Sequence, residues 1–542
     1  MTSPPSRWGS PRAAAAGLAG RCLRAAGRNW ALVVLLTAGL VLRVLAELAY
    51  RPALLYIDTM KYLYNAYPGA DPVGYKAPLK AILAVGGLNA VAAVQHLLGL
   101  AIAVTIYLTL LRRGTPRWLA ALATAPVLLD AYQIQIEQTI MPDVWFEALL
   151  VAGIVLLLIR GVGPAQADPS SARGAVSTAG SRRWSRGLGA VIIAGLLLGA
   201  SATIRQVGEI LLLPGLLYLL IAGGGWRTVL LRASAFTAAF AIPIAGYMTG
   251  SYLITSHFWL ASSTPRISSY GRMAVAADCA ALHIPGYERA LCPTPRQRAY
   301  GIDWLDHDVA SPLKRFVAPA GQNRYAIIAR FDQQVLAQQP QRVLAAVARD
   351  GLKLFSLSRT SSQGGTPISR WQFQESYPTY GDWVTLDSQH EVVLGLRLTP
   401  GSAIITRHVL DRSYGGPAAV SRPLATFLRS YQLDGGFTAG PLLALLTLAG
   451  LLGSLLVLVR RPTWPRRKLT QACLLFFAAG LAVLAMSDAF QFSWRYQLPA
   501  LVTLPPAGVL GLTIAGSYLF SRPGAAGGAQ RADAPELASP AV

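Results

Sequence analysis

The feature that most constrains this chain is a series of long apolar stretches that carry almost no charge. A helix needs about 20 mostly apolar residues to cross the hydrocarbon core of a bilayer. Stretches that qualify or nearly qualify lie at 30–50, 88–111, 117–132, 143–160, 188–204, 207–222, 233–254, 438–459, 469–487 and 498–519. The fifth and sixth are separated only by Arg205 and Gln206, so they could form a tight helical hairpin. The pattern predicts an all-α polytopic membrane protein with about ten transmembrane helices.

Composition supports this class and excludes others. Of the 542 residues, 53% are apolar and only 13% are charged, whereas soluble domains carry about 25% charged residues. The apolar content excludes disorder over most of the chain. The size and the four cysteines exclude a small disulfide-rich scaffold.

The net charge of +23 would ordinarily suggest nucleic acid, but its distribution indicates topology instead. With a cytoplasmic N-terminus, the cytoplasmic segments are 1–29, 112–117, 160–187, 223–232, 460–468 and 520–542. They hold 22 of the 48 Lys and Arg residues but only three of the 25 acids. This asymmetry follows the positive-inside rule. It predicts a multi-pass protein of the cell membrane with both termini cytoplasmic, and no nucleic acid partner.

The same map predicts the domain organisation. The basic cytoplasmic tail 1–29 precedes an N-terminal transmembrane module, 30–254, of about seven helices that includes the first outer loop, 51–87. A mixed extracytoplasmic domain follows at 255–437. A C-terminal transmembrane module of three helices, 438–519, and a flexible cytoplasmic tail, 520–542, complete the chain.

The 255–437 segment has helical periodicity around 323–358, which Pro340 is expected to divide into two helices. Later pieces, such as Trp383-Val-Thr-Leu and Glu391-Val-Val-Leu, are typical of short strands or loops. Cys279 and Cys292 lie in this segment, on the predicted oxidising side. They could form a disulfide; the alternative is two free thiols.

Acidic residues cluster at the predicted outer ends of the spans, where they are costly unless they serve a function. They are Asp58, Asp71, Asp130, Glu137, Asp143, Glu209 and Asp488. Asp58 could be a helix N-cap or a carboxylate that removes a proton from a hydroxyl. Asp143, which opens the fourth span, could likewise be an N-cap or, with Glu137 as the other candidate, the second acid of a two-carboxylate site. Asp71 precedes Pro72 and favours a turn.

Basic residues on the same face could bind an anion. Arg205 lies between two spans and Arg495 lies just before the last one, each in a short outer turn. Such arginines can bind a phosphate in a bidentate fashion or extend to lipid headgroups. Lys76 and Lys80 in the first outer loop present the same two alternatives, with the headgroup role favoured.

Several familiar motifs are absent from the sequence. It contains no P-loop, no dinucleotide-binding fingerprint, no His-Glu-x-x-His pair and no CxxC repeats. The stretch Asp303-Trp-Leu-Asp-His-Asp308 could bind a cation or be a solvated acidic loop, and the solvated loop is favoured. His96, within the second span, is more typical of helix packing than of metal binding. An ATP-driven activity is not indicated.

The order of these features resembles the GT-C superfamily of membrane glycosyltransferases. The similar segments include Tyr56-Ile-Asp-Thr-Met-Lys-Tyr, Tyr75-Lys-Ala-Pro-Leu, Gln95-His-Leu-Leu-Gly, Leu128-Leu-Asp-Ala-Tyr-Gln-Ile-Gln-Ile-Glu and Arg495-Tyr-Gln-Leu-Pro. They look similar to the actinobacterial phospholipid-carrier-dependent branch, related to protein O-mannosyltransferases and the aminoarabinose transferase. The resemblance covers mostly 40–260 and 485–520. Some relatives have two adjacent acids in the first loop, whereas Thr59 follows Asp58 in this chain.

The resemblance implies a transfer reaction and assigns roles to residues. The donor would be a polyprenyl-phosphate-linked sugar, and the acceptor a hydroxyl of an envelope glycan, lipid or protein. Asp58 would be the general base of an inverting displacement, and Asp143 or Glu137 would position the acceptor or the sugar. Arg205 and Arg495, assisted by Tyr496, would stabilise the lipid-phosphate leaving group, with Lys76 a further candidate. Membrane lipids surround the site, no nucleotide is required, and a divalent cation is compatible with the pattern.

Two other classes of protein are open from the residues alone. One is a transporter or flippase for a lipid-linked saccharide, although the sequence has neither an internal repeat nor a charged pair in mid-span. The other is a non-catalytic envelope assembly protein whose outer domain binds a partner. Nothing in the sequence excludes this third class, and Asp58→Asn that leaves function intact with normal folding would favour it over the transferase.

Overall fold

The computed structural model describes residues 26–64, 71–159, 178–223, 225–261, 269–361, 366–397, 405–459 and 464–519. Residues 1–25 of the predicted N-terminal tail, the whole predicted C-terminal tail and most of the 160–187 loop fall outside these ranges. Within them the chain is mostly helical, with two small antiparallel sheets. The predicted all-α polytopic class is confirmed.

The N-terminal module up to residue 255 contains eleven α-helices and one short strand among the described residues. They are α1 (Trp30–Ala49), β1 (Tyr50–Arg51), α2 (Thr59–Leu63), α3 (Lys76–Leu83), α4 (Leu88–Arg112), α5 (Arg117–Leu122), α6 (Ala125–Leu129), α7 (Ala131–Gln138), α8 (Asp143–Ile159), α9 (Thr178–Ile204), α10 (Leu212–Ala222) and α11 (Trp226–Thr255). A 3₁₀ turn, Gln206–Leu211, joins α9 to α10.

The segment that follows combines short helices with four strands. They are α12 (Tyr270–Ala276), α13 (Pro295–Ala299), α14 (Gly301–His307), α15 (Pro312–Arg315), α16 (Arg324–Gln338), α17 (Pro340–Leu352), β2 (Val384–Leu386), β3 (Val392–Arg397), β4 (Ile405–Val409), β5 (Ala419–Val420) and α18 (Arg422–Leu433). The C-terminal module consists of α19 (Gly440–Val459), α20 (Trp464–Phe490) and α21 (Pro499–Leu519).

Six helices in the described part of the chain are long and apolar enough to cross a membrane. They are Trp30–Ala49, Leu88–Arg112, Gly187–Ile204, Trp226–Thr255, Arg466–Phe490 and Trp494–Leu519. Gln206–Ala222 and Gly440–Leu456 are shorter apolar helices, and α8 has 17 residues. The predicted positions of apolar helices are therefore largely found, although fewer than ten reach full spanning length.

The predicted span 117–132 is corrected by the structure, which divides it into α5, α6 and α7. Pro126 stands in the first turn of α6, where its missing N–H is no loss. Asp130 then takes an extended backbone conformation, and its carboxylate caps α7 by accepting a hydrogen bond from the Tyr132 amide. A second difference lies in the predicted 160–187 loop, which is helical from Thr178 onward.

The first outer loop is attached to the rest of the molecule by backbone hydrogen bonds. β1 pairs with β5, and the Leu54 amide donates to the Gln138 carbonyl at 3.1 Å. The Ile140 amide donates back to the Leu54 carbonyl at 2.9 Å. The loop carries two short helices, α2 and α3. These bonds set the start of α2 beside the start of α8.

The 255–437 segment has a hydrophobic core of its own, which includes Tyr270, Leu291 and Phe331. Pro340 begins α17 and separates it from α16, as predicted. The strands β2, β3 and β4 form an antiparallel sheet in that order, and the two predicted strand segments lie in β2 and β3. Cys279 and Cys292 form a disulfide with Cα atoms 6.0 Å apart.

Candidate active site

Four side chains from distant parts of the sequence meet at one end of the helix bundle. Asp58 directly precedes α2, and Asp143 is the first residue of α8. Arg205 follows the end of α9, and Arg495 lies in the 3₁₀ turn Trp494–Gln497 just before α21. Each is therefore held at the end of a helix, where the backbone is fixed by the helices and the side chain can project into a shared space.

Arg495 joins the two aspartates. Its Nε lies 3.0 Å from both carboxylate oxygens of Asp143, and its Nη1 donates to Asp58 Oδ2 at 2.9 Å. The Arg495 and Asp143 side chains are only 6% and 2% exposed, whereas that of Asp58 is 28% exposed. The cluster thus consists of a buried ion pair, Arg495 with Asp143, and one carboxylate, Asp58, that solvent or a substrate can reach.

Arg205 completes the pairing of Asp143, to which its Nη1 donates a hydrogen bond. Its guanidinium also lies 4.9 Å from the centre of the Tyr496 ring, while that of Arg495 lies 5.6 Å from the same ring. Both cations are therefore packed against an aromatic face. Tyr496 therefore contacts both arginines of the cluster.

Lys61 adds a cation on the exposed side of Asp58. Its Nζ lies 3.4 Å from Asp58 Oδ1 and 2.5 Å from Asp71 Oδ2. Burial opposes ionisation of Asp58, but the charges of Lys61 and Arg495 outweigh that cost and hold the pKa of this carboxyl below its usual range. Asp58 is consequently an anion under ordinary conditions.

The helix-cap alternatives are settled by these contacts. Asp58 occupies the N-cap position of α2, but its side chain makes no capping hydrogen bond. The carboxylate of Asp143 is directed to Arg495 and Arg205. Both acids therefore use their side chains for the ionic cluster.

An aromatic wall from the 255–437 segment adjoins the cluster. The Arg495 guanidinium lies 5.5 Å from the centre of the Trp371 ring, and Trp371 packs on Tyr56 with ring centres 4.8 Å apart. Tyr380 meets Tyr56 edge to face at 5.0 Å. Arg370 Nη1 donates to the Tyr56 hydroxyl at 3.2 Å. The segment thus closes over the first outer loop beside Asp58.

Glu137 is not part of this cluster. Both of its carboxylate oxygens accept from Arg43, at 2.8 and 2.9 Å, and His96 Nδ1 lies 3.0 Å away. The whole group is buried within the helix bundle. Of the two candidates for the second acid, the structure places only Asp143 beside Asp58, and His96 contacts Glu137 rather than serving helix packing alone.

Lys76 begins α3, and no side-chain contact joins it to the cluster among the described residues. Gly74, two residues earlier, contacts the last turn of α9, because its amide donates to the Thr203 carbonyl at 2.9 Å. A Cβ at Gly74 would overlap that carbonyl. The close approach requires glycine and brings the start of α3 to the end of α9.

Several of the other acids make contacts away from this cluster. Asp130 forms a bidentate pair with Arg359 at 3.0 and 2.7 Å. In the Asp303–Asp308 stretch, Asp306 Oδ1 accepts from the Gly271 amide at 2.8 Å. Among the described residues, no group of three or more His, Cys, Asp or Glu side chains is placed to hold a metal ion.

Sequence reasoning missed Lys61, Arg370 and Trp371. Lys61 carries a local signal, because it lies three residues after Asp58 and faces the same side of a helical turn. Arg370 and Trp371 carry no such signal. They lie more than 300 residues from Tyr56 in sequence, and only the folded chain brings them to it.

No family model and no curated protein matches the chain. Among solved structures, it is similar to the S. cerevisiae protein O-mannosyltransferase Pmt1-Pmt2 complex bound to the sugar donor, at 14% identity and a TM-score of 0.28, over 45% of this chain and 36% of that one. It is similar to the oligosaccharyltransferase AglB of Archaeoglobus fulgidus, in complex with an inhibitory peptide and a dolichol-phosphate, at 12% identity and a TM-score of 0.39, over 90% and 51%.

A third similar structure is ArnT from Cupriavidus metallidurans bound to undecaprenyl phosphate, at 13% identity and a TM-score of 0.29, over 90% of this chain and 79% of that one. The chain spans about a third of the first structure's length and about half of the second's, at 36% and 51%. The more specific resemblance to an actinobacterial branch stays a prediction.

Proposed function

We propose that the chain is an integral-membrane glycosyltransferase that moves a sugar from a polyprenyl-phosphate donor to a hydroxyl of an envelope glycan, lipid or protein. The site would face the outer side of the membrane. One observation carries the proposal: an ionised, partly exposed carboxylate, Asp58, is held by the buried Arg495–Asp143 pair at the end of the apolar helix bundle.

In the proposed reaction, Asp58 accepts the proton of the acceptor hydroxyl while that oxygen attacks the anomeric carbon of the sugar. A bond forms between the acceptor oxygen and this carbon, and the bond from the carbon to the phosphate oxygen breaks. The electron pair leaves with the polyprenyl phosphate. Attack from the side opposite the leaving group inverts the anomeric configuration.

The charges around Asp58 suit an anionic leaving group. Lys61 and Arg205 have side chains 15% and 12% exposed, respectively, so each retains access to a ligand. Charge grows on the phosphate as the sugar departs, and fixed cations beside it lower the energy of that state. Arg495 is committed to two carboxylates, so its proposed role is to orient Asp58, while Arg205 and Lys61 contact the phosphate. Lys76 remains a secondary candidate for that contact.

The proposal is tested by Asp58→Asn in a transfer assay with decaprenyl- or undecaprenyl-phosphate sugars. The amide keeps the shape of the side chain and can still accept from Arg495, but it cannot take a proton. We expect transfer to fall by about 10²- to 10⁴-fold, the usual size of general-base catalysis. The matched control is Asp71→Asn, another aspartate of the same loop, which pairs with Lys61 and whose side chain is 59% exposed.

Asp71→Asn is expected to retain most of the activity. Equal activity of wild type and Asp58→Asn would remove Asp58 from the mechanism. Absence of turnover by wild type with every donor would contradict the transferase proposal and favour the transporter or assembly classes.

A second prediction concerns pH. Because the lysine charge helps keep the pKa of Asp58 low, Lys61→Met should raise that pKa. The acid limb of the kcat/KM profile should then move to higher pH, since protonation would disable the base over a wider range. Lys61→Arg keeps the charge and should leave the limb near its wild-type position. Superimposable profiles for Lys61→Met and wild type would show that Asp58 ionisation does not limit activity.

A further inference from the structure

Helix α17 (Pro340–Leu352) has one buried face and one exposed apolar face. Val343 and Ala346 pack into the core of the 255–437 segment. On the other side, Leu344, Ala348 and Leu352 follow one another at four-residue spacing and are exposed, with Leu344 at 66% and Leu352 at 65%. Residues at this spacing form a single stripe along a helix. A stripe of this kind requires a partner that is apolar.

The C-terminal end of α17 is fastened to the end of a membrane-spanning helix. Arg272 Nη2 donates to Asp350 Oδ2 at 2.5 Å and to the Asp488 carbonyl at 2.6 Å. Asp350 lies on α17, and Asp488 lies two residues before the end of α20. The Arg272 and Asp350 side chains are 1% and 12% exposed. Since both contacts use the same buried guanidinium nitrogen, α17 is held at the boundary of the bundle.

A second contact fixes the turn after α17 to the start of another apolar helix. Gly440, the first residue of α19, lies so close to the backbone of Phe355 and Ser356 that an added Cβ would overlap it. The next residue in that turn, Leu357, is 82% exposed. Beyond Gly440, α19 presents Leu442 and Leu445, which are 50% and 67% exposed. Leu357 therefore lies next to the start of α19, whose first turns also carry exposed leucines.

We propose that α17 and the turn ending at Leu357 lie in the interface of the phospholipid bilayer, with the leucine stripe among the acyl chains. The bilayer is the occupant favoured by the contacts above, because the stripe is continuous with the outer surface of apolar helices that themselves require lipid. The exposed Arg349 follows Ala348 directly and is placed to meet lipid phosphates. A helix with one apolar face and flanking cations is suited to lying in this interface. The inference rests on the position of α17 and is independent of the proposed reaction.

The test is a spin-label accessibility scan of the full chain in vesicles of phosphatidylcholine and phosphatidylglycerol. Cys279 and Cys292 are bonded to each other and Cys473 is buried, so Cys22→Ser supplies the background. Single variants Leu344→Cys, Ala348→Cys and Leu352→Cys carry the label on the stripe. The control is Val317→Cys, an apolar residue of the same segment that is 84% exposed and lies outside α17.

For the three stripe positions we expect the ratio of collisions with oxygen to collisions with a water-soluble nickel chelate to exceed that at Val317 by several-fold. Oxygen concentrates among acyl chains and the chelate stays in water. A ratio equal to that at Val317 would place the stripe in water and overturn the proposal. Low access to both reagents would overturn it as well, because it would show that a second copy or another protein covers the stripe. Unchanged thermal unfolding of each labelled variant confirms that the fold is retained.

Discussion

Replacing Arg495 with methionine is expected to abolish transfer and to destabilise the protein by about 3–5 kcal/mol, the usual cost of removing one partner from a buried ion pair. The change leaves Asp143, whose side chain is 2% exposed, with Arg205 alone, and it removes the contact that orients Asp58. The effect is measured as the shift in the midpoint of thermal unfolding in one detergent, together with the transfer rate.

Arg495→Lys is the matched variant, since it keeps the charge but loses the planar fork that contacts both aspartates. We expect it to melt closer to wild type and still to transfer poorly. In the Arg495→Met background, Asp143→Asn should recover part of the lost stability, because it removes the acid that has lost a partner, while activity stays absent. Wild-type melting of Arg495→Met would show that this arginine does not hold the two aspartates in place.

In a separate variant, replacing Arg43 with methionine is expected to lower the free energy of unfolding by about 3–5 kcal/mol. Arg43 lies outside the candidate active site. The Arg43 and Glu137 side chains are 2% and 0% exposed. Arg43 also donates to the carbonyls of Val127 and Leu128, each at 2.9 Å, at the end of α6. The variant would leave a buried carboxylate and two carbonyls without this donor.

The double variant Arg43→Met with Glu137→Gln should melt above the single variant, since the uncompensated charge is gone. The same thermal unfolding measurement checks both. Full stability of the single variant would show that Arg43 is not required to hold the Glu137 carboxylate within the bundle.

The prediction of the fold succeeded where the signal was local. Apolar length placed α1, α4, α11 and the C-terminal helices, because a helix that crosses a bilayer must satisfy its backbone internally and cover it with apolar side chains. The prediction failed at 117–132, although this stretch holds enough apolar residues to suggest a membrane-spanning helix. The break there depends on Pro126 and on Asp130, whose carboxylate caps α7 and pairs with Arg359 of the distant segment.

The same local signal placed four of the candidate site residues, whose role stays a prediction. The structure brings together four charged residues that each lie at the end of an apolar stretch, namely Asp58, Asp143, Arg205 and Arg495. Glu137 satisfied the same rule equally well. Glu137 lies away from the site because α7 packs against α1 and α4. This packing directs the Glu137 side chain into the bundle, toward Arg43.

The sequence by itself determined that the chain is a polytopic helical protein. It also determined which ends of the apolar segments carry charged residues, because both properties depend on the composition of single segments. Only the tertiary structure decided which charges meet. The Arg495 contacts join residues separated by 352 and 437 positions, and the Tyr56–Arg370 contact spans 314. Such pairings are set by how helices pack and by how the 255–437 segment closes on the bundle. No pattern within one segment encodes them.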